Sequence, residues 1–252
     1  MQKHLFIVIP NRSGSTFTEN LLKKHSRVAS LGAEGQHLTK GSMPNDVSDP
    51  HFWTKGGPGF KRKRDYDWPT VLKIWHKEWA THPNYSEDCI LLEKSPPNVI
   101  RMNILIEQFP SAYYILGTRN PYAVCASIHQ ITKLKHPYRR CAIQAINVLK
   151  EQSENLKLDC NKIFFRYEDL CANPNSVRDD IVDMLPELEG LNFEEGVKGG
   201  WSVFGGMLSE KAQNRNEESI SSLRPDALEE INKVFKLYPE IMEQFEYSYI
   251  EE

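Results

Sequence analysis

One stretch near the start of the chain decides the fold class. Residues 5–17 read Leu-Phe-Ile-Val-Ile-Pro-Asn-Arg-Ser-Gly-Ser-Thr-Phe, which is an apolar run, a short polar loop and the beginning of a helical pattern. The apolar run at 5–9 is continuous rather than alternating, as is typical of a strand that is covered on both faces. Thr16 and Glu19 have the spacing of a capping box, which predicts that the helix begins at Ser15 or Thr16.

The same succession of strand and helix continues along the chain. Further β-rich apolar runs lie at 89–92, 113–116 and 163–165, with a weaker one at 28–31. Helical patterns lie at 17–25, 99–109, 122–131 and 139–156. This alternation predicts an α/β fold with a central, mostly parallel sheet that is flanked by helices.

Residues 36–88 interrupt this alternation. They are rich in Gly, Pro, Asp, Trp and basic residues, and they include a basic run at 61–64. We expect an irregular insertion over the sheet edge, after the second strand, followed by a helix near 69–79.

A further helix is expected from Pro225 onward, within an acidic tail. The segment 217–252 has ten acidic and three basic residues and therefore a net charge of −7. The whole chain has a net charge of −3, so the rest of the chain carries +4.

Composition argues against several classes of protein. The 252 residues carry a net charge of −3, with 40% hydrophobic and 26% charged residues, which is typical of a globular chain and not of a dedicated nucleic-acid binder. The five cysteines form no C-x-x-C pair, so neither a disulfide framework nor a zinc site is expected. No segment approaches the ~18 apolar residues of a membrane span. We therefore expect a cytoplasmic protein with no membrane or nucleic-acid partner, although a trimmed lumenal domain has the same features.

The loop of the first motif has the groups that bind an anion. Gly14 allows a tight turn and a close approach of the backbone to a ligand. The N–H groups of the first helical turn prefer an anion, and Ser13, Ser15 and Thr16 add hydroxyl donors. Arg12 supplies a permanent positive charge with a planar set of donors. The motif therefore predicts a binding site for a phosphate or sulfate group.

This loop differs from the loop that binds nucleoside triphosphates. In the pattern G-x-x-x-x-G-K-[ST], Ile9 stands where the first glycine is required and Ser15 where the lysine is required. Taken alone, the loop is equally compatible with a capped helix after a buried strand, with Arg12 in solvent.

A second motif lies at residues 113–128. An apolar strand ends in Arg119, and Pro121 opens a helix in which Ser127 lies two turns from the start. The carboxyl ends of strands are where open α/β sheets bind ligands. We expect Arg119 and Ser127 to hold a second anion together, through a charge-assisted hydrogen bond and a hydroxyl group. The alternative is an arginine at a strand end and a small serine that packs between helices.

Together these motifs resemble the PAPS-dependent sulfotransferases, which use 3′-phosphoadenosine 5′-phosphosulfate. Residues 12–16 are similar to the family's 5′-phosphosulfate loop, [RK]-[ST]-G-[ST]-[ST], and residues 119–127 to its 3′-phosphate motif, R-N-P-x-x-x-x-x-S. The segments 93–98 (Glu-Lys-Ser-Pro-Pro-Asn) and 166–174 agree as well. The pattern is most similar to the Golgi tyrosylprotein and bacterial-type sulfotransferases, and it extends from residue 5 to about 185.

The resemblance implies one P-loop-like domain over residues 1–252, which transfers the sulfuryl group of PAPS to a hydroxyl or amine and releases adenosine 3′,5′-bisphosphate (PAP), without a metal. It also implies the residues that bind the donor, which are Arg12, Ser13, Gly14, Ser15, Thr16, Phe17, Arg119, Ser127 and Tyr167, with Lys211 as a weaker candidate in a late loop.

The resemblance also suggests the catalytic groups. Glu34 falls on a G-x-E segment that carries the catalytic glutamate of tyrosylprotein sulfotransferases, and Lys94 matches their catalytic lysine. We expect Glu34 to be the general base, with Lys94 and Arg12 as the cations that stabilise the transition state. Glu93, which matches the base of glycosaminoglycan N-sulfotransferases, and His37 are the two alternatives for the base.

The acceptor is expected to bind under the insertion and near Trp201, and it can be a small molecule, a sugar or a peptide. The tryptophans of the insertion can line its pocket, or they can form a buried helix face; they are Trp53, Trp68, Trp75 and Trp79. Two other functions remain compatible with the sequence, namely a P-loop kinase of small molecules and a non-catalytic module that binds PAPS or PAP.

Overall fold

Five parallel strands form the sheet of the computed structural model, which describes residues 1–39, 66–133, 135–193 and 213–251. The strands are β1 (Lys3–Val8), β2 (Val28–Ser30), β3 (Ile90–Lys94), β4 (Tyr113–Thr118) and β5 (Asn161–Arg166). Their order is β2-β3-β1-β4-β5, and every neighbouring pair is parallel. The predicted α/β fold is therefore confirmed.

Helices connect and cover the strands. They are α1 (Ser15–Leu22), α2 (Gly35–Leu38), α3 (Trp68–Trp79), α4 (Met102–Gln108), α5 (Pro121–Ile131), α6 (Tyr138–Leu156), α7 (Tyr167–Ala172), α8 (Pro174–Met184), α9 (Asn216–Ser221), α10 (Pro225–Phe235) and α11 (Pro239–Gln244). Short 3-10 helices lie at Pro96–Ile100 and Pro186–Leu188. The helical pattern at 99–109 thus divides into a 3-10 turn and α4.

Both faces of the sheet are buried, which explains why the strand sequences are continuously apolar. Phe6 and Val8 of β1 point into a core that includes α3 and α4. Leu5 and Ile7 point into the opposite core, with α1 and α8. A third apolar cluster joins α5, α6, α10 and α11. The sheet is therefore a rigid support for the loops at its carboxyl edge.

The first helix begins where it was expected, but the predicted capping box is wrong. Helix α1 begins at Ser15 with Gly14 as its N-cap, and no side chain caps it. Glu19 turns away from the helix start and pairs instead with Lys23 and Lys94. A lysine ammonium attracts this carboxylate more strongly than a neutral backbone N–H group does.

The tryptophans of the predicted insertion form a buried helix face. Trp75 and Trp79 of α3 are fully buried and Trp68 is nearly so, and all three pack in the core under β1. The interpretation that these three line an acceptor pocket is therefore wrong, because burial of their apolar surface determines their position. Trp53, Trp201 and the basic run at 61–64 lie outside the described residues.

The acidic tail contains more than one helix. Helix α10 begins at Pro225 as predicted, but it ends at Phe235, and α11 follows at Pro239. The proline at position 239 has no backbone N–H group and cannot continue the preceding helix. Within the described part of the chain, no helix combines the length and the apolar composition that crossing a membrane requires.

Candidate functional site

The carboxyl ends of β1, β3 and β4 bring the predicted motifs together. In the parallel register, Ile7 of β1 lies beside Lys94 of β3, and Val8 lies beside Leu116 of β4. The loop after β1 therefore leaves the sheet between the ends of the two neighbouring strands. A central strand flanked in this way is where ligands bind in open parallel sheets.

The loop after β1 is held in an unusual backbone conformation. Arg12 has φ +63° and Gly14 has φ +90°, both in the left-handed region. Such a conformation costs roughly 1 kcal/mol for a residue with a side chain, so Arg12 is held in place by its surroundings. A Cβ atom at Gly14 would lie 2.9 Å from the Tyr167 ring, which excludes a larger residue there. The N–H groups at Ser15 and in the rest of the first turn of α1 have no partner inside the helix and can receive an anion.

The side chain of Arg12 is directed into the site by Ser127. Its Nε donates a hydrogen bond of 2.7 Å to Ser127 Oγ, and Ser127 itself is buried in α5. Burial and the neighbouring Arg119 lower the pKa of Arg12 to about 10. The two guanidinium groups therefore lie close enough to repel each other, and an anion between them would be attracted by both.

Arg119 is fixed from several sides. Its Nη1 donates to the backbone oxygen of Arg12 at 2.8 Å, and its Nε donates to Asn216 Oδ1 at 2.8 Å. The Tyr167 ring covers the guanidinium carbon at 4.6 Å, a cation–π contact. Only 8% of Arg119 is exposed, and burial lowers its pKa. Among the described residues, neither Arg12 nor Arg119 forms an ion pair with a carboxylate.

The structure does not pair Ser127 with Arg119 directly, and the expectation that the two hold one anion together stays a prediction. Ser127 contacts Arg12 instead, because Arg12 reaches across from the β1 loop to the second turn of α5. A hydrogen bond thus joins the two predicted anion motifs. Ser13 and Ser15 are buried in the loop, whereas Thr16 is exposed and Phe17 is half-buried.

Lys94 lies on the other side of β1, between two carboxylates. Its Nζ is 2.8 Å from Glu34 Oε1 and 3.4 Å from Glu19 Oε2. Burial alone would lower the pKa of Lys94, but Glu19 and Glu34 outweigh it and raise the pKa. Lys94 is therefore a cation throughout the neutral range, already paired before any ligand arrives.

Glu34 keeps one carboxylate oxygen on Lys94 and turns the other toward α2. Its Oε2 accepts a hydrogen bond of 2.7 Å from Gln36 Nε2 and lies 3.3 Å from His37 Nε2. The Glu34 side chain is 23% exposed, so a molecule from solvent can reach it. Glu34, Lys94 and His37, which the sequence named separately, are thus one cluster.

Glu93 is in a different situation from Glu34. It is only 1% exposed, and burial raises its pKa. Its oxygens accept hydrogen bonds from the backbone of Gly35 at 3.0 Å, from Ser95 Oγ at 2.5 Å and from Asn98 Nδ2 at 2.6 Å. These contacts turn Glu93 toward the chain's own interior, so they favour Glu34 over Glu93 as the group that an acceptor meets.

Gly35 and Trp75 hold the segment that carries Glu34. Trp75 Nε1 donates to the backbone oxygen of Gly35 at 3.2 Å. The backbone N–H group of Gly35 donates to Glu93 Oε1. A Cβ atom at Gly35 would lie 2.6 Å from the Trp75 ring and 2.8 Å from Glu93 Oε1. Glycine is therefore required here, and the position of Glu34 depends on this close packing.

Tyr167 lies over the loop and over Arg119, as a residue that borders the site. Its ring covers Gly14 and the Arg119 guanidinium, and its hydroxyl donates to the backbone oxygen of Gln213. Burial raises its pKa to about 12, so the hydroxyl keeps its proton. The expectation that it packs on adenine stays a prediction. Lys211 lies outside the described residues.

The residues of the site that sequence reasoning gave no role there include Asn216, Glu168 and Glu19. Asn216 lies in α9, far along the chain from Arg119, and no pattern in its surroundings indicates the contact. Glu168 belongs to the segment 166–174 that resembles the family, but the resemblance gave it no role. Glu19 was assigned to a cap, so its contact with Lys94 was missed.

Comparison with known proteins agrees with the fold. A model of the sulfotransferase family matches residues 4–189. The sulfotransferase domain from the curacin biosynthetic pathway superposes with a TM-score of 0.58 at 18% identity, over 99% of both chains. The corresponding domain of the Synechococcus PCC 7002 olefin synthase gives 0.54 at 18% identity, over 98% of this chain and 95% of that one.

A sulfotransferase from Alicyclobacillus acidocaldarius superposes with a TM-score of 0.52 at 14% identity, over 98% of this chain and 97% of the other. No curated protein matches the chain. At such low identities the solved structures show that the fold is shared, and the family model covers most of the chain.

Proposed function

Because the chain belongs to the sulfotransferase family, we propose that it transfers the sulfuryl group of PAPS to a hydroxyl or amine of an acceptor and releases PAP. One observation carries the choice of donor. Two arginines, Arg12 and Arg119, are directed into one site without a carboxylate partner in the described part of the chain, and burial lowers the pKa of both. A guanidinium that is largely removed from water and has no carboxylate beside it is costly, and a donor with negative charge at both ends offsets that cost.

The two arginines would bind opposite ends of the donor. The N–H groups at the start of α1, with Arg12 and the hydroxyls of Ser13, Ser15 and Thr16, suit the 5′-phosphosulfate. Arg119 suits the 3′-phosphate, since a guanidinium binds phosphate oxygens through two parallel hydrogen bonds. Tyr167, Phe17 and Lys211 are proposed neighbours of the nucleotide.

The proposed reaction is an in-line displacement at sulfur. The acceptor oxygen or nitrogen forms a bond to sulfur as the bond from sulfur to the bridging phosphate oxygen breaks, and PAP leaves with the electron pair of that bond. Glu34 takes the proton of the acceptor, and Arg12 and Lys94 stabilise the negative charge that develops at the leaving phosphate and the transferred group. Positioned donors of this kind contribute about 2.7–4 kcal/mol each to lowering a barrier.

Glu34 is the better base because it is both reachable and oriented. Lys94 and Gln36 fix its two oxygens, and its side chain is partly exposed. Glu93 is buried and accepts three hydrogen bonds from the chain itself. His37 Nε2 lies 3.3 Å from Glu34 Oε2 and stays the exposed alternative for the base.

Binding of PAP tests the proposal without any knowledge of the acceptor. We expect PAP at about 100 times its Kd to stabilise the protein by ~2.7 kcal/mol, measured as a rise in melting temperature. Arg12→Ala and Arg119→Ala should each abolish most of this rise. Arg178→Ala, which removes an arginine that pairs with Asp179 on α8, is the matched control and should leave it unchanged. A wild-type protein that melts identically with and without PAP would contradict the proposal.

Transfer itself is tested with labelled PAPS. A screen across sugars, lipids, polyketides, tyrosine peptides and small alcohols should give one class of labelled product with the wild-type protein and almost none with Arg12→Ala. Slow release of labelled sulfate without an acceptor would report use of the donor. Binding of PAP with no transfer to any acceptor would indicate a binding module instead.

A further inference from the structure

We propose that Asn216 is a positioning residue that orients Arg119 for the 3′-phosphate, and that it makes the site select 3′-phosphorylated nucleotides. This inference rests on the proposed function, because it assumes that Arg119 meets the 3′-phosphate. Asn216 opens α9, in a part of the chain that the family model does not match. It is 7% exposed, so its contacts are made inside the protein.

The hydrogen bonds of Asn216 define which way its amide points. Its Oδ1 accepts from Arg119 Nε at 2.8 Å, and its Nδ2 donates to Glu168 Oε1. A guanidinium can only donate and a carboxylate can only accept. The opposite orientation of the amide would therefore place two donors against each other at Arg119 and two acceptors against each other at Glu168. Asn216 therefore links Arg119 to Glu168 in one defined geometry.

Glu168 is itself anchored by its surroundings. Its Oε1 also accepts from the backbone N–H of Asn120 at 2.9 Å, directly after Arg119 in the chain. Its Oε2 lies 3.5 Å from the hydroxyl of Tyr247, and that hydroxyl is 2.9 Å from Thr118 Oγ1. The Glu168 carboxylate is thus held by the start of α5 and by the last segment of the chain, which itself contacts the end of β4. Glu168 in turn holds Asn216.

The asparagine keeps this carboxylate from neutralising the arginine. In the described residues Glu168 forms no ion pair with Arg119, although it is close enough to influence its pKa. A neutral amide between them fixes the guanidinium and leaves its charge available. Ser219 Oγ, 3.5 Å from Nη2, lies on the same side of Arg119 as Asn216.

Three of the five N–H groups of Arg119 are thereby accounted for. Nε is directed to Asn216, one N–H of Nη1 to the backbone of Arg12, and one of Nη2 to Ser219. Within the described part of the chain, the other two have no partner. One N–H group on each Nη nitrogen therefore remains for an anion, and a guanidinium is a donor that phosphate oxygens bind strongly.

The experiment compares two nucleotides that differ only in the 3′-phosphate. The Kd of PAP and of adenosine 5′-monophosphate (AMP) is measured by calorimetry for the wild-type protein and for Asn216→Ala. We expect the ratio of the two Kd values to favour PAP in the wild type and to fall about tenfold in Asn216→Ala, as the loss of one charge-assisted hydrogen bond implies. The Kd of AMP should stay within twofold of the wild-type value.

Two further variants in α9 make the result interpretable. Ser219→Ala removes the weaker partner of Arg119 and should lower the ratio about threefold, so it also tests the idea if Asn216→Ala does not fold. Ser221→Ala changes an exposed serine whose hydroxyl bonds to the backbone of Glu218, and it should not alter the ratio.

The possible outcomes separate the inference from the function on which it rests. An unchanged ratio in Asn216→Ala and Ser219→Ala, with PAP still bound, would overturn the role of Asn216 and leave the sulfotransferase proposal intact. An equal loss of PAP and AMP affinity would also overturn it, since a merely structural role affects both ligands. A wild-type protein that binds neither nucleotide would contradict the proposed function itself.

Discussion

The cations on the two sides of β1 differ in whether carboxylates lie beside them. On the β4 side, Arg12 and Arg119 lie close together without a carboxylate partner in the described chain, and burial lowers the pKa of both. On the β3 side, Lys94 lies between Glu19 and Glu34, which raise its pKa. Both sets of cations belong to the same edge of the same sheet.

This difference in carboxylate pairing indicates which kind of ligand each side of β1 suits. A pair of arginines without counter-charges costs stability in the empty protein, and a bound polyanion recovers that cost. Lys94 already lies between two carboxylates, and its hydrogen bond of 2.8 Å to Glu34 Oε1 holds Glu34 in one orientation. The β4 side is thus suited to hold the donor and the β3 side to activate the acceptor.

The first prediction separates the two sides by activity. Glu34→Gln should reduce the rate of transfer about 10³-fold, because the acceptor loses the group that takes its proton. The Kd of PAP should remain within twofold, because the donor site lies on the other side of β1. Single-turnover transfer from labelled PAPS, with the acceptor found in the screen, gives the rate, and calorimetry gives the Kd.

Glu87→Gln, a change of an exposed glutamate, is the control for the loss of one negative charge. If Glu34→Gln transfers sulfate at the wild-type rate, Glu34 is not the base. Glu93→Gln would then be the next variant to test, although a loss of activity there must be accompanied by an unchanged melting temperature to count as catalytic.

The second prediction separates the two sides by stability without ligand. Lys94→Met should lower the free energy of unfolding by about 2 kcal/mol, because it leaves Glu19 and Glu34 facing each other without the ammonium. Arg12→Met should leave it unchanged or raise it, because the lost cation has no counter-charge and is repelled by Arg119. Urea unfolding at neutral pH measures both.

The pH dependence gives the sign of the Lys94 contribution. Its folded-state pKa is raised, so the contribution is fully present below its usual pKa of 10.5 and is lost only as the pH rises above that value. The wild type and Lys94→Met should therefore differ equally at pH 6 and pH 8. A larger loss of stability in Arg12→Met than in Lys94→Met would contradict the comparison between the two sides.

The sequence was sufficient to predict the strands because both faces of the sheet are buried. All five apolar runs became strands, and the helix of each strong pattern formed within a few residues of its expected bounds. The two errors have different causes. A tertiary contact overrode a local rule at Glu19, which contacts Lys94 instead of capping α1. The start of the helix predicted at 99–109 lies instead in a 3-10 helix, Pro96–Ile100, which opens with two prolines.

The site was predictable only as far as its groups belong to short motifs. Arg12, Arg119 and Glu34 were named from local patterns, and the structure brings them to one edge of the sheet. Their partners are separated from them along the chain, as Asn216 is from Arg119, and no local pattern reveals such a pair. The role of Ser127 shows the same limit, since its motif is local but its partner is Arg12.

The smallest prediction concerns Ser127, and it distinguishes the motif from the structure. Ser127→Ala removes the acceptor that holds Arg12 Nε at 2.7 Å, and it should weaken PAP about fivefold, which corresponds to one hydrogen bond of ~1 kcal/mol. If Ser127 acts through Arg12 at the 5′ end of the donor, AMP must be weakened by the same factor. Ser153→Ala, which removes another buried hydroxyl bonded to Gln244, should change neither affinity. A loss confined to PAP would instead place Ser127 with Arg119 at the 3′-phosphate, and the hydroxyl would then have to leave Arg12 when the donor binds.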